Sequence, residues 1–238
     1  KACTNSDCAT GCVGATTSVA SPATVGSMVN GSSYYVCTQA ADLAGNLAAW
    51  DASSTTVTID TTAATVTGVT ASANGYFKSA GSVNILVTFS ENVTVTGTPQ
   101  ITLETGVTDS VVDYTSGSGT NVLTFAYTVD ATDTSADLDY VATTSLALNL
   151  GTIRDAATNN ATLTLASPAG AGSLGANQAI IVDTTTPTVT TSTDPATYST
   201  ATSVSFAWTG GTDTNLTSYN VKACTNSDCA TGCVGATT

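Results

Sequence analysis

Apolar and polar residues alternate along most of the chain. Two stretches of the central region carry apolar side chains at every second position: Val83, Ile85, Val87 and Phe89, and then Leu123, Phe125, Tyr127 and Val129. A period of two places successive apolar side chains on one face of a β-strand, so each stretch predicts a strand with a buried face. Clusters of Gly, Ser, Asp and Asn at 115–119 and 155–160 predict turns. Because no stretch shows convincing helical periodicity, we expect an all-β fold in which these two faces form a core.

The chain contains an internal repeat. Residues 1–17, KACTNSDCATGCVGATT, recur without a change at 222–238. An identity of this length does not arise by chance, so the chain holds one full period and the beginning of the next. The repeat predicts that copies contact one another head to tail. Two origins fit it: separate subunits that exchange strands, or continuing repeats of one long chain.

Two similar segments divide the period, IDTTAAT at 59–65 and VDTTTPT at 182–188. Each is the apolar end of a strand followed by Asp-Thr-Thr, which predicts a short linker between domains. The linkers predict three pieces: part of one domain at 1–60, a complete domain at 61–185, and part of the next domain at 186–238. The segments 186–221 and 1–60 together have about the length of a small seven-strand sandwich.

The split unit resembles a fibronectin type III domain. SVSFAWTGGTD (203–213) is similar to the second strand of that family, with Trp208 as its buried tryptophan. SYNVKA (218–223) is similar to the third strand, and YYVCTQAADLAGN (34–46) to the penultimate strand and turn. The end of the central unit, LGANQAIIVDTTTP (174–187), resembles the bacterial Ig-like repeats of giant surface proteins. These resemblances imply an elongated series of β-sandwiches with an extracellular role in adhesion or filament architecture, and neither family carries a catalytic centre.

Charge and residue usage exclude several classes of function. Lys and Arg total 4 against 17 Asp and Glu, a net charge of -13, which excludes a protein that follows nucleic-acid phosphates. The chain contains no His, so a Ser-His-Asp or Cys-His catalytic arrangement is impossible. No apolar run reaches the length of a membrane span, so we expect no membrane insertion in this segment. An acidic cluster remains, and we interpret it as a solvated or calcium-binding loop rather than a glycosidase site: Asp130, Asp133, Asp137 and Asp139.

The seven cysteines predict disulfides and not a zinc site, because zinc sites with cysteine ligands usually show paired C-x2-C knuckles. Disulfides in turn predict an oxidising compartment. If Tyr34 and Val36 point inward, alternation places Cys37 on the outward face. In the resembled fold the strand that ends at Cys3 neighbours the strand of Cys37, which favours a Cys3–Cys37 bridge together with Cys8–Cys12. Two other pairings stay open: 3–12 with 8–37, and 3–8 with 12–37.

Calcium is the one cofactor for which the residues suggest a mechanism. Four aspartates are candidate ligands: Asp42, Asp60, Asp155 and Asp183. Asp60 and Asp183 end the strands before the two linkers, while the other two open the turns D-L-A-G-N (42–46) and D-A-A-T-N (155–159). Oxygen ligands at a hinge suit Ca²⁺. The alternative is that Asp and Asn occupy these turns only because they form local backbone hydrogen bonds.

The sequence therefore predicts a structural spacer, a repeat of an extracellular filament, stalk or adhesin shaft on a bacterial surface, and not an enzyme. The alternative is an adhesion module that binds a ligand or glycan through loops at one end of a sandwich.

Overall fold

The computed structural model describes residues 1–14, 22–192, 200, 202, 208–213, 215–225, 231 and 233–237. The fold is nearly all β with antiparallel sheets, which confirms the predicted class. The chain divides into two compact units, residues 1–183 and residues 184–238.

The N-terminal part of the first unit is a four-stranded antiparallel sheet. Its strands are β1 (Ala2–Cys3), β2 (Cys12–Val13), β3 (Ser33–Thr38) and β4 (Asp51–Thr58). They lie in the order β2-β1-β3-β4. β4 contains two residues more than β3 between the pairs Tyr35–Thr56 and Cys37–Ala52, so it bulges next to Val36.

The two faces of this sheet differ in chemistry. The register partners place one apolar set on a single face: Ala2, Val13, Tyr34, Val36 and Val57. The opposite face carries Cys3, Cys12, Tyr35 and Cys37. Alternation thus assigned Tyr34 and Val36 to one face and the two cysteines to the other, as expected. Cys3 and Cys37 are nevertheless buried, because the 4–11 loop and its disulfides cover their face.

The predicted disulfide pairing is wrong. The structure joins Cys3 to Cys12 and Cys8 to Cys37, one of the pairings that the sequence left open. Cys3 and Cys12 are direct register partners with Cα atoms 4.0 Å apart, so Cys12 belongs to a strand and not to a tight turn with Cys8. Cys8 lies in the loop between β1 and β2, at a φ of 55°, and its sulfur reaches β3. Pairing is set by this hairpin register, which residue spacing alone does not give.

Ten further elements complete the first unit: β5 (Val66–Ala71), β6 (Gly75–Phe77), β7 (Ser82–Thr96), β8 (Gln100–Leu103), β9 (Ser110–Ser116), β10 (Thr120–Thr128), β11 (Leu146–Ala147), β12 (Thr152–Arg154), α1 (Leu174–Asn177) and β13 (Ile180–Val182). A large antiparallel sheet has the order β11-β8-β9-β10-β7-β12, and β5 also pairs with β7. β6 and β13 form a separate parallel pair. The sheet of β1–β4 shares no strand with the large sheet.

The main core is built on β7 and β10. All eight apolar residues singled out by the alternation are buried, none more than 3% exposed. Because β7 and β10 are paired, with Phe125 opposite Ile85 and Tyr127 opposite Val83, the two sets form one continuous face of one sheet instead of two opposing faces. Leu138, Tyr140 and other buried residues of 129–182 pack against that face. Each fully buried large apolar side chain contributes about 1.5–3 kcal/mol to folding.

β7 is long and changes partners along its length. Its register with β10 passes from Val122–Thr88 to Thr120–Val93, so 89–92 form a bulge with three extra residues on β7. Beyond the bulge β7 pairs with β12. The sequence at this point, Ser-Glu-Asn, interrupts the apolar alternation and places Glu91 within the bulge.

The second unit contains two antiparallel pairs, β14 (Val189–Ser192) with β15 (Trp208–Gly211) and β16 (Asn220–Cys224) with β17 (Cys233–Thr237). The resemblance implied a buried Trp208, but this side chain is 37% exposed. Its ring lies 5.5 Å from that of Tyr219, while β15 has only β14 as a strand partner among the described residues. Of the strand predicted at 203–213, residues 203–207 lie outside the described residues, and β15 covers Trp208–Gly211.

Candidate functional site

The link between the two sheets of the first unit, residues 59–62, is held by asparagine side chains from both directions. Asn30 accepts a hydrogen bond from the Thr61 N–H at 2.8 Å and donates through Nδ2 to Thr62 Oγ1 at 2.8 Å. Asn159 donates through Nδ2 to the carbonyl of Asp60 at 3.1 Å and to that of Thr62 at 3.4 Å. These bonds fix the Asp60 backbone beside the 155–159 turn.

The 155–159 turn is organised by Asp155. One carboxylate oxygen accepts the Asn159 N–H at 2.9 Å, and the other accepts Asn159 Nδ2 at 2.8 Å. The Asp155 side chain is buried, at 3% exposed. Asn159 therefore binds Asp155 through its backbone N–H and its side-chain amide, and the same side-chain amide binds the linker carbonyls.

Three carboxylates converge where this turn, the linker and the β7 bulge meet. Oxygen atoms of Asp60, Glu91 and Asp155 lie within 4.8 Å of one another. Asp60 and Glu91 are half-buried, and Asp155 is buried. We call this group the linker triad.

Charge repulsion within the linker triad is visible at Glu91. Burial raises the pKa of the Glu91 carboxyl, and the nearby charges of Asp60 and Asp155 raise it further. Like charges at this separation disfavour simultaneous ionisation, so the triad holds its negative charge at a cost that a cation would relieve.

The donor set suits a hard cation. Ca²⁺ binds six to eight oxygen ligands and accepts irregular geometry completed by water. Three carboxylates, without His or Cys, have the chemistry of a calcium site and not of a zinc site. Sequence reasoning selected Asp60 and Asp155 and missed Glu91, whose only signal is the polar Ser-Glu-Asn interruption of a long apolar strand.

Two of the four predicted ligands lie elsewhere. Asp42 is exposed and accepts bonds from the Ala44 and Asn46 N–H groups and from Asn46 Nδ2, at 2.7–2.9 Å. The Asn46 bonds lower the pKa of Asp42. Asp183 follows β13, where its N–H donates to the Phe77 carbonyl at 3.0 Å. Neither belongs to the linker triad, and the local bonds at Asp42 are those of an ordinary Asx turn.

The acidic cluster at 130–139 forms hydrogen bonds within the fold. Asp133 is 3% exposed, and its Oδ2 accepts the Tyr127 hydroxyl at 2.7 Å and the Asp130 N–H at 2.9 Å. Burial and then the Asp133 bond raise the pKa of Tyr127. Asp139 accepts the Ala169 N–H at 2.8 Å, and burial followed by the Asp139 charge raises the pKa of Tyr140 to about 12. Asp133 thus satisfies the buried Tyr127 hydroxyl, which is a structural task, whereas the bond between Asp139 and Ala169 is exposed.

The apolar face of the β1–β4 sheet is partly open. Val36 is 40% and Val57 43% exposed, although both occupy strand positions whose neighbours on the same face are apolar. Tyr34 on this face is buried, and its hydroxyl accepts the Val29 N–H at 3.1 Å. This face is therefore covered at Ala2 and Tyr34 and keeps exposed apolar surface at Val36 and Val57.

The strands of the repeated segment pair in the same register at both of its positions. In β1–β2 the register pairs are Ala2–Val13 and Cys3–Cys12. In β16–β17 the corresponding residues pair in the same way, and Cys224 is bonded to Cys233 with a Cα separation of 4.0 Å. Seventeen identical residues thus give the same strand register and the same disulfide twice.

No protein-family model matches the chain, and no curated protein or solved structure matches it significantly. Among the residues that the structure describes, none of the helical segments has the length and apolar character needed to cross a membrane.

Proposed function

We propose that this chain is a structural repeat of an extracellular filament, stalk or adhesin shaft, in which β-sandwich domains follow one another head to tail. The observation that carries the proposal is the duplicated hairpin, which has the same register and disulfide at 1–17 and in 220–237. A protein that restarts its own fold in this way is organised as an array.

The order β2-β1-β3-β4 supports a fibronectin-like split domain. In such sandwiches the third, penultimate and last strands are neighbours in one sheet, and the neighbouring strands β1, β3 and β4 would correspond to them. The antiparallel pair β14–β15 would then supply the first two strands of the opposite sheet. The two halves come from opposite ends of the period, so the neighbouring copy would complete the domain.

Exposure supports the same arrangement. Val36 and Val57 are partly exposed on the face that would meet a second sheet, and Trp208 of β15 is also partly exposed. Packing β14 and β15 of one copy on β3 and β4 of the next would cover all three side chains. The resulting contact is heterologous and does not close, which gives length.

Calcium at the linker triad would stiffen the link between neighbouring sheets. Asp60 belongs to the linker, whereas Glu91 and Asp155 belong to the large sheet and its loops, so an ion bound by all three ties the linker to that body. The three disulfide pairs fit an oxidising, extracellular setting. Because the chain contains no His and the buried Asp133 forms a structural hydrogen bond, we propose no enzymatic role.

The test is the concentration dependence of particle shape. We expect small-angle scattering and electron microscopy of the full chain to show linear particles that lengthen as the concentration rises. Val36→Asp should shorten them, because it places a charge on the open face. Leu43→Asp is the matched control, since Leu43 is fully exposed in a turn. Compact monomers at every concentration, or equal effects of the two variants, would refute the proposal.

A further inference from the structure

Strands β9 and β10 diverge over part of their length. Their register partners are confined to 114–116 of β9 and 124–125 of β10. Both continue as strands beyond these pairs, since β8 pairs with β9 at 110–113 and β7 pairs with β10 at 126–128. Between the two inner edges, 110–113 and 126–128 are not register partners of each other.

A cavity of about 530 Å³ lies between the diverging stretches. Consecutive residues of both strands line it, 110–113 and 126–128, so it lies between the strand edges and not on one face of the sheet. We call this cavity the β9–β10 cleft. Its volume is within the range of about 300–1,000 Å³ that is usual for ligand pockets.

The backbone of β9 directs hydrogen-bonding groups into the cleft. The Tyr114 N–H donates to the Pro99 carbonyl at 2.8 Å, at the edge that faces β8. Peptide groups of successive strand residues point to opposite edges, so the N–H and C=O of Val111 point toward β10. Val111 has no register partner on that strand.

The backbone of β10 does the same from the other side. The Val129 N–H donates to the Gly81 carbonyl at 2.8 Å, at the edge that faces β7. Alternation therefore directs the N–H and C=O of Thr128 toward β9, where Thr128 has no register partner. Strand edges without a partner strand are templates for pairing with another extended segment.

A buried carboxylate joins the two strands beside the cleft. Asp133 Oδ2 accepts the Ser110 hydroxyl of β9 at 3.1 Å and the Tyr127 hydroxyl of β10 at 2.7 Å. Asp133 is 3% exposed and also lines the cleft. The two strands are thus connected through side chains where their register pairing has ended.

The cleft has a strongly acidic lining. Asp109, Asp113 and Asp130 are exposed and line it together with Asp133, whereas none of its lining residues is Lys or Arg. A cleft lined by one sign of charge attracts a ligand of the opposite sign. The backbone edges favour an extended peptide, and the aspartates favour one with basic side chains.

We propose that the β9–β10 cleft binds an extended, lysine- or arginine-containing segment of a partner protein, which adds as a short strand between β9 and β10. Main-chain hydrogen bonds to Val111 and Thr128 hold the segment, and the aspartates select its basic side chains. The inference goes beyond the head-to-tail array and does not depend on it, because the cleft uses no residue of the repeated segment.

The test titrates the nitrogen-15-labelled full chain with the capped peptide acetyl-Thr-Lys-Val-Lys-Thr-amide. We expect saturable shifts of the Val111 and Thr128 amide signals in nuclear magnetic resonance spectra, together with slower hydrogen exchange at both. Binding should weaken as salt is added, because salt screens the attraction between exposed charges.

Two control peptides separate charge from strand pairing. The peptide with Glu in place of both Lys residues should bind at least about tenfold more weakly, because its charges repel the aspartates. The lysine peptide methylated at two successive backbone nitrogens keeps its charge but loses a donor on each edge, so it should bind at least about tenfold more weakly as well.

Paired variants of the protein locate the site. Asp109→Asn combined with Asp113→Asn removes two charges from the cleft and should weaken binding of the lysine peptide at least about tenfold. Asp51→Asn combined with Asp137→Asn is the matched control, because both residues are exposed and neither lines the cleft. That variant should change the affinity less than about twofold.

Four results would overturn the inference: no binding of the lysine peptide, equal binding of the methylated peptide, equal losses in the two variants, or shifts confined to residues outside 108–133. Spermidine is a further competitor, since it carries positive charge without a peptide backbone. If spermidine gives the same shifts with the same affinity, the cleft is a general cation site and the strand pairing is refuted. None of these results bears on the array, which the scattering experiment tests separately.

Discussion

Replacing Glu91 by Gln isolates the electrostatics of the linker triad. The substitution keeps the size of the side chain and removes one of three carboxylates that lie within 4.8 Å of one another. Without calcium, the natural triad places repelling charges in partly buried positions. We therefore expect Glu91→Gln to stabilise the protein in the presence of a chelator, although it removes a charged group from a candidate site.

The magnitude follows from Coulomb's law. Two unit charges about 4.8 Å apart repel by about 1 kcal/mol in water and by about 3.5 kcal/mol at an effective dielectric of 20. Glu91 is half-buried and keeps contact with solvent, so the lower figure is appropriate for each of its two pairs. The expected gain is about 2 kcal/mol, and each kcal/mol raises Tm by roughly 2–4 °C in a chain of this length.

The pH dependence has a definite sign. Because the pKa of Glu91 is raised above its ordinary 4.5 in the folded protein, the folded state binds the proton more tightly than the unfolded state. The destabilisation is fully present above the folded pKa and disappears as the pH falls through it. The difference in Tm between Glu91→Gln and the natural chain should therefore shrink as the pH is lowered through the range just above 4.5.

Calcium should reverse the ranking of the two proteins. An ion bound only by the folded state raises stability by RT ln(1 + [L]/Kd), and the natural triad has more charge with which to bind it. Thermal unfolding, followed by circular dichroism in chelator and in calcium chloride, measures both effects. Glu104→Gln is the matched control, since Glu104 is exposed and outside the triad. Loss of stability of Glu91→Gln in chelator, or the same response from Glu104→Gln, would refute the reasoning.

Three further outcomes are expected. Phe125→Ala should cost about 3–5 kcal/mol in urea unfolding, because Phe125 is 0% exposed in the main core; a cost below about 1 kcal/mol would contradict this packing. Asp133→Asn should cost about 2 kcal/mol by the same measurement, because the Tyr127 hydroxyl and the Asp130 N–H lose a buried charged acceptor; an unchanged midpoint would mean that the network is not needed. Reduction should accelerate hydrogen exchange in the β1–β4 sheet and leave the large sheet protected, because the Cys8–Cys37 loop contributes about 3–4 kcal/mol; equal acceleration in both sheets would oppose it.

The alternation of apolar residues correctly predicted where strands form and which face of each strand is buried. Alternation at Val83–Phe89 and Leu123–Val129 identified β7 and β10 because a period of two is a direct consequence of strand geometry. The same rule separated Tyr34 and Val36 from the cysteine face of β3. It did not show that β7 and β10 are neighbours in one sheet, since strand order depends on contacts distant in sequence.

The wrong disulfide pairing and the omission of Glu91 both concern contacts between residues that are distant in sequence or set by strand register. Cys8 and Cys12 are close in sequence, yet the hairpin register places Cys12 opposite Cys3 and directs Cys8 to β3. Glu91 entered the candidate site because a bulge, a linker and a turn meet there. Asn159 and Asp60, which are joined across this site, lie 99 positions apart, and no spacing rule covers such a distance.

Comparison of the two copies of the repeated segment distinguishes what the segment itself determines from what its neighbours add. Strand register and the nine-residue disulfide are the same in both, so they belong to the segment itself. Burial of Ala2 and exposure of Ala223 differ, so burial is supplied by β3.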